Sequence, residues 1–271
     1  MRNRRIIVNS NCYHGYDVFE AVDGIAGAGF KNIELTATKG WTERVFPCMS
    51  FSSLLKIRDY IEKKGLSIPS MSGHTNLMDE ERIPDFMENI HLAHFFGAGM
   101  IVSSIGEAHI ADKRKGGLDI IKRNISSLLP LLERYDMSLS LETHGEHGTG
   151  MAIAEVVEAI GSERVGICYD TANVIFYGRV DGNEDLSSCI RHVNYLHIKD
   201  KAGAPDEWDF PPLGKGYVDF KSIFSILDGN DNNAPMSIEI EFTKEGPASL
   251  DEVNKAVLDS AEYLKGLGYE L

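Results

Sequence analysis

The chain has 271 residues, 43% of them hydrophobic, and a formal net charge of −14 at pH 7. That is enough apolar material for one large α/β domain. The acidic balance disfavours nucleic acid and anionic membranes, whose phosphates call for Lys and Arg. The cysteines Cys12, Cys48, Cys168 and Cys189 form no C-x-x-C pair, so neither a zinc ribbon nor a redox motif is implied.

Strand and helix signals alternate from one end to the other. The strand-like "RRIIVNSNCY" is followed by the helical "YDVFEAVDGIAGAGF", "NIELTAT" by "SFSSLLKIRDYIEKKG", and "LSIPSMSGHTN" by "EERIPDFMENIHLAHFFG". Then come "MIVSSIG" with "LDIIKRNISSLLPLLERYD", and "MSLSLETHG" with "GMAIAEVVEAIG". The last three pairs are "VGICYDTAN" with the weaker helix "NEDLSSCIRHV", "VNYLHIKDK" with "DFKSIFSILDGN", and "MSIEIEF" with "SLDEVNKAVLDSAEYLKGLG". Apolar residues recur at helical spacing, as Leu54, Ile57 and Ile61 do. Gly65, Gly97 and Gly161 stand where a left-handed C-cap is wanted. Eight strand–helix pairs of about 30 residues each predict a single closed (β/α)8 barrel spanning residues 1–271. A doubly wound open sheet would want a Gly-rich turn after its first strand, and "NSNCYHGYD" offers none. No apolar run is long enough for a signal peptide or a membrane span. A cytoplasmic protein with inert core thiols is expected.

In such a barrel the C-terminal strand ends meet around one mouth. Four consecutive strands end on an acid or an imidazole: Glu142, Asp170, His197 and Glu239, separated by 28, 27 and 42 residues. Three clustered carboxylates repel unless a positive charge lies between them. Three carboxylates and one imidazole suit a divalent ion such as Mn²⁺, Mg²⁺, Co²⁺ or Zn²⁺, with positions left open for substrate oxygens. Singly, each residue also has a plainer reading. Asp170 could cap the next helix, His197 could be a structural histidine, and Glu239 or Glu241 could be half of an ion pair.

The motifs "SLSLETHGE", "VGICYDTAN", "NYLHIKD", "PPLGKGYVDF" and "MSIEIEF", in that order, resemble the xylose isomerase-like TIM barrel superfamily. The likeness is to its sugar phosphate isomerase/epimerase branch and covers essentially the whole chain. It implies one divalent ion, Mn²⁺ first, held by Glu142, Asp170, His197 and Glu239. It also implies that Glu142 and Glu239 carry protons to and from a carbon beside a carbonyl, through a cis-enediolate. Glu239 rather than Glu241 matches the "SIE" of the pattern. His144, in Glu-x-His, resembles the acid/base of lyases that eliminate from 3-keto-glycosides. A lyase or dehydratase on a 3-keto-glycoside or inosose is therefore the alternative to an isomerase or epimerase.

Further mouth candidates follow from position. Lys199 lies two residues after His197, and is either a substrate contact or an ion pair with Glu239 or Asp170. Glu34 closes the second strand, His74 with Asn76 closes the third, and His14 follows the first. Trp208, in the long loop 199–216, and Trp41 and Phe46 could pack on a sugar ring. That loop is expected to be an ordered cover. The endonuclease IV-type members of the same superfamily have a His where this chain has Asn173, and an Asp-x-His where it reads "DEWDFPP". The expected partner is accordingly a small sugar or polyol, with no nucleic acid and no membrane, in a protein whose default assembly is a homodimer. Asn173 also replaces a substrate-touching His of many ketose epimerases; it keeps a donor and an acceptor.

Overall fold

The computed structural model describes residues 4–106 and 114–271. Among them, eight parallel strands form a ring: Ile6–Asn9 (β1), Asn32–Thr38 (β2), Ser67–Ser72 (β3), Met100–Ser103 (β4), Ser138–Glu142 (β5), Val165–Asp170 (β6), Val193–Ile198 (β7) and Met236–Ile238 (β8). Each pairs with the next, and Ile6 opposite Met236 closes the circle. The helices between them are Val18–Gly27 (α1), Phe51–Lys63 (α2), Ile83–Phe95 (α3), Leu118–Arg134 (α4), Gly150–Ile160 (α5), Gly182–Cys189 (α6), Phe220–Gly229 (α7) and Leu250–Gly266 (α8). This is the (β/α)8 TIM barrel that the alternation predicts.

Strand alternation sorts the two faces. Outward residues such as Ile6, Val8, Ile33, Leu35 and Ile167 join the helices in the main core, where Leu54, Ile57 and Ile61 are buried. Inside the ring a separate small cluster holds Ile7, Val102, Cys168 and Tyr195, beside the buried Ser70, Ser72, Ser140 and Ser237. The interior is thus small and hydroxyl-rich, which lets polar groups stack upward from it to the mouth.

Local chemistry fixes the helix ends. Asp17 accepts from the backbone N–H of Phe19 and Glu20, and Glu20 reaches back to the N–H of Asp17, a reciprocal cap at the start of α1. Gly65, Gly97 and Gly161 all have positive φ, as the C-cap pattern predicts. The weak helix expected over 183–193 ends at Cys189, and the chain finishes with a tighter turn at Ile190–His192. Of the four thiols, Cys12, Cys168 and Cys189 are buried; Cys48 is exposed, a departure from the expected core position, and none is disulfide-bonded. Among the described residues no helix is long and apolar enough to cross a membrane.

Two features tie the ring to its loops. Arg4 is buried and donates to the carbonyls of Ala234 (2.7 Å) and Asn232 (2.5 Å), fastening the approach to β1 onto the approach to β8. In the loop after β7, the buried Asp200 accepts from the N–H of Lys201, Gly214, Gly216 and Val218, at 2.8 to 3.1 Å. A Cβ at Gly216 would stand 2.2 Å from the carbonyl oxygen of Lys201, so only glycine allows this approach. The loop also pairs through Asp209–Phe210 with Phe242–Thr243 in a short antiparallel ribbon. It is an ordered cover, as its length and aromatic content predict.

Candidate metal centre and active site

The strand ends deliver their polar residues to one place. Glu142 is the last residue of β5 and Asp170 the last of β6, while His197 lies within β7, paired with Asp170. β8 ends at Ile238, so Glu239 projects from the first residue beyond it. All four side chains are buried, and each offers a ligand atom within 4.8 Å of the others. At that spacing each carboxylate pair repels by on the order of 3 kcal/mol at an effective dielectric of about 20.

The neighbours explain how the group is held. Asp170 Oδ1 accepts from the N–H of Ala172 (2.9 Å) and Asn173 (2.8 Å), at the start of a short helical turn, Asn173–Phe176. The capping role and the site role therefore coexist in one carboxylate. Its Oδ2 is buried with no hydrogen-bond partner. His197 Nδ1 faces Glu142 Oε1 at 2.8 Å, and Nε2 faces Glu34 Oε1 at 3.2 Å. His74 Nδ1 accepts the N–H of Ser104 (3.2 Å). This fixes the tautomer with Nε2–H toward Glu142 Oε2, 3.3 Å away. Glu239 Oε1 accepts from Asn11 (3.1 Å) and Asn9 (3.4 Å). Lys199 Nζ lies 3.1 Å from Glu239, 2.5 Å from Glu241 and 3.8 Å from Asp170. It also stands 4.5 Å from the centre of the Phe210 ring.

Burial and charge act against each other here. Burial favours the neutral form of Glu142, but His197 and His74 outweigh it and hold the carboxyl below its ordinary range. Glu34 and Glu239 are lowered in the same way, by His197 and by Lys199 respectively. Asp170 is pushed well above its range by burial, which Lys199 only partly offsets. His197 and Lys199 are raised despite burial, His197 by Cys168 and Glu34, Lys199 by Glu239 and Glu241. Burial pushes His144 down to about 4, so it is neutral at pH 7. Among the described residues, Lys199, His197 and His74 face the carboxylates Glu34, Glu142, Asp170, Glu239 and Glu241, and Asp170 Oδ2 has no hydrogen-bond donor. The donor set fits a divalent cation.

A small pocket lies over this group, lined among others by Glu142, His144, Asn173, Lys199, Glu239 and His74. These are residues the sequence singles out, and the structure brings them together. Lys199 makes the ion pair with Glu239, and a closer one with Glu241. The remaining candidates lie elsewhere. Glu34 does not close β2, which continues to Thr38. It sits one layer down and fully buried, accepting from Tyr195 (2.7 Å) and Ser72 beside its contact with His197. Asn76 holds its own loop, donating to the carbonyl of Arg114 and accepting from the N–H of Met78. His14 is exposed, 4.7 Å from the ring of Trp41. It shares an outer cleft with Trp41 and Trp208. Phe46 lines neither of these; it borders a further cleft with Lys39, His74 and the α3 residues Asp85, Glu88 and Asn89. Asn9 and Asn11 are pocket residues that strand patterning did not single out, although they alternate in register with Ile7; Glu241, weighed against Glu239 in the sequence, lines the pocket as well.

A ring of βα units with its buried acid–imidazole group at the strand ends defines a class, a barrel with a candidate metal centre at its mouth. The chain belongs to the xylose isomerase-like TIM barrel family, whose model matches residues 22–267. It is 32% identical over 118 residues to a 3-oxo-isoapionate decarboxylase of Pectobacterium atrosepticum, covering 41% of this chain and 42% of that protein. Over 153 residues it is 31% identical to a probable endonuclease 4 of Mesomycoplasma hyopneumoniae, covering 49% and 54%. The matches span about half the length of these curated relatives. Among solved structures, a xylose isomerase-like TIM barrel protein from Mycobacterium smegmatis in complex with magnesium superposes with a TM-score of 0.77 at 18% identity, over 98% of this chain and 96% of that one. A 3-keto-D-glucoside 4-epimerase from E. coli gives 0.71 at 17% identity, over 97% and 100%.

Proposed function

We propose that this protein is a divalent-metal-dependent isomerase or epimerase of a small sugar or polyol, acting by proton transfer at a carbon beside a carbonyl. The observation that carries this reading is the convergence of Glu142, Asp170, His197 and Glu239, with Asp170 Oδ2 buried and without a hydrogen-bond partner. These four residues would hold the ion. Mn²⁺ is the first choice, with Mg²⁺, Co²⁺ and Zn²⁺ equally compatible with the donor set. Bound there, the ion supplies Lewis-acid polarisation of the substrate carbonyl, which acidifies the neighbouring C–H.

The chain's own residues do the rest. Glu142 on β5 and Glu239 after β8 enter the pocket from different sides of the ring. Both are held ionised, so one can take the proton from carbon and the other can return one, through an enediolate. His74 orients Glu142, and Asn9 and Asn11 orient Glu239. Lys199 stays protonated and serves as a donor to substrate oxygens, together with Asn173, which accepts from it at 3.4 Å. The acidic surface and the small polar pocket support a small-molecule substrate over nucleic acid.

A second reading rests on His144. It lines the same pocket two residues after Glu142, and its neutral ring can accept and return a proton. The same first step followed by departure of a β-substituent would make the protein a lyase or dehydratase. Decarboxylation of a 3-oxo acid, as the name of the Pectobacterium relative suggests, would also pass through an enolate.

The test is metal analysis of the purified protein, then incubation in D₂O with ketoses, inososes and 3-keto-glycosides. Stoichiometric metal with deuterium in a recovered isomer is the expected result, and Glu239→Gln should lose both metal and exchange while remaining folded. Loss of water, a leaving group or CO₂ would move the reaction to the second reading. Full metal content and full exchange in Glu239→Gln would sink the assignment.

A further inference from the structure

The side chain of Asn11 spans the seam between the pocket over the acidic group and the outer cleft, and lines both. Asn11 stands in the turn Ser10–Tyr13 after β1, buried, with its backbone N–H donating to Asn9 Oδ1 at 2.9 Å. Its amide faces two ways. Nδ2 donates to Glu239 Oε1 and to Glu241 Oε1, each at 3.1 Å. Oδ1 accepts the indole N–H of Trp41 at 3.1 Å and the hydroxyl of Thr42 at 2.6 Å.

A side-chain amide has two N–H donors and two oxygen lone pairs, and here all four are used. The orientation is forced. An indole N–H can only donate and the ionised Glu239 can only accept, so turning the amide over breaks its bonds on both sides. The Thr42 hydroxyl gives its single proton to Asn11, so His14 Nδ1, 3.2 Å away, is the donor to Thr42. A directed chain thus runs from His14 through Thr42 and Asn11 to the two carboxylates.

The far side of this chain is a lightly built element. After β2 the backbone turns through Gly40, at φ +77°, and returns as Thr42–Glu43, with Ala37 opposite Glu43 and Thr38 opposite Thr42. A ribbon this short is marginal by itself, so its position depends on what it bonds to. It carries Trp41, which walls the outer cleft with its ring 6.2 Å from that of Trp208 and 4.7 Å from that of His14.

We propose that Asn11 is a positioning residue that couples the metal centre to this wall: an ion that fixes Glu239 also fixes the ribbon over residues 38–43, and Trp41 with it. The inference rests on the metal binding proposed above. A carboxylate restrained by an ion restrains the donor bonded to it, and because the Asn11 amide cannot turn, the restraint passes on to Thr42 and Trp41. Ordering of the ribbon is then part of binding the ion, and a substrate that meets the loaded protein finds the Trp41 wall already set. The coupling is reciprocal, so whatever loosens the ribbon weakens the ion by the same factor.

That reciprocity supplies the test. The Thr42 hydroxyl bonds to Asn11 and His14 and, among the described residues, to no carboxylate, so Thr42→Val acts on the ion through Asn11. In calorimetric titrations of the metal-stripped protein with Mn²⁺, Thr42→Val should bind about fivefold more weakly than the unaltered chain. Thr42→Ser, which keeps the hydroxyl, should restore the affinity. Hydrogen exchange read by mass spectrometry should slow about fivefold over residues 38–44 when Mn²⁺ binds, and in Asn11→Ala that segment should exchange at one rate with and without the ion. Equal Mn²⁺ affinity in Thr42→Val and the unaltered chain, or exchange over 38–44 that ignores the ion, overturns the coupling and leaves the metal centre standing. No Mn²⁺ binding by the unaltered chain overturns the metal centre itself, and the coupling with it.

Discussion

His197 is gripped from both sides, and Glu34 provides the side that lies below the pocket. Its carboxylate meets Nε2, while Nδ1 faces Glu142 and the rest of the acidic group. Partners of this kind fix ring orientation and raise ligand basicity, and their loss typically costs 10–100-fold in metal affinity. Glu34→Gln should therefore weaken metal binding about tenfold or more, with the far-ultraviolet spectrum unchanged; a titration with Mn²⁺ read by calorimetry decides it. Lys199 answers the carboxylates from above. Removing one partner of a buried ion pair costs about 3–5 kcal/mol, so Lys199→Met should lose about that much stability in chelator, measured by urea denaturation, and recover part of it when metal is added. The four proposed ligands were legible because each one interrupts an apolar strand with a charge at the same relative place. Asn9 and Asn11 were not, because small amides in "NSNCY" look like turn residues until the closed ring sets Asn9 opposite Glu34. Glu34 was misplaced for a related reason: strand patterning shows that a residue faces inward, but its height depends on where the strand ends.

The loop after β7 acts as one element through Asp200. Four backbone N–H groups converge on that carboxylate, and the loop they fasten carries Phe210 under Lys199 and Trp208 over the cleft. Asp200→Asn replaces an acceptor oxygen with a donor and leaves buried N–H groups unmatched, at about 1–3 kcal/mol. The variant should melt several degrees lower and become sensitive to limited proteolysis between residues 202 and 216; an unchanged digestion pattern would mean the ribbon alone holds the loop. The strand and helix order of the barrel was legible because period-two and period-3.6 patterns alternate so regularly. The small ribbon at Asp209–Phe210 and the turn at Asn173–Phe176 were not. Two to four residues carry no periodicity, and tertiary partners make those pieces.

At the scale of the whole ring, closure depends on the pairing of β1 with β8 and on Arg4 beneath it. Arg4→Ala removes two charge-assisted hydrogen bonds to the carbonyls of Ala234 and Asn232, a loss of about 2–4 kcal/mol. Hydrogen exchange should then rise first in β1 and β8; uniform loss of protection around the ring would assign Arg4 a general role instead. The same seam runs through the pocket, where Asn9 and Asn11 hold a carboxylate 230 and 228 residues further along the chain. During synthesis on the ribosome, Glu142, Asp170 and His197 emerge well before Glu239. The fourth donor arrives with the last strand and is aligned only by the first. On the metal-binding function proposed above, full affinity for the ion would be a signature of a finished ring, and a nascent chain stalled before β8 would carry an incomplete chelate.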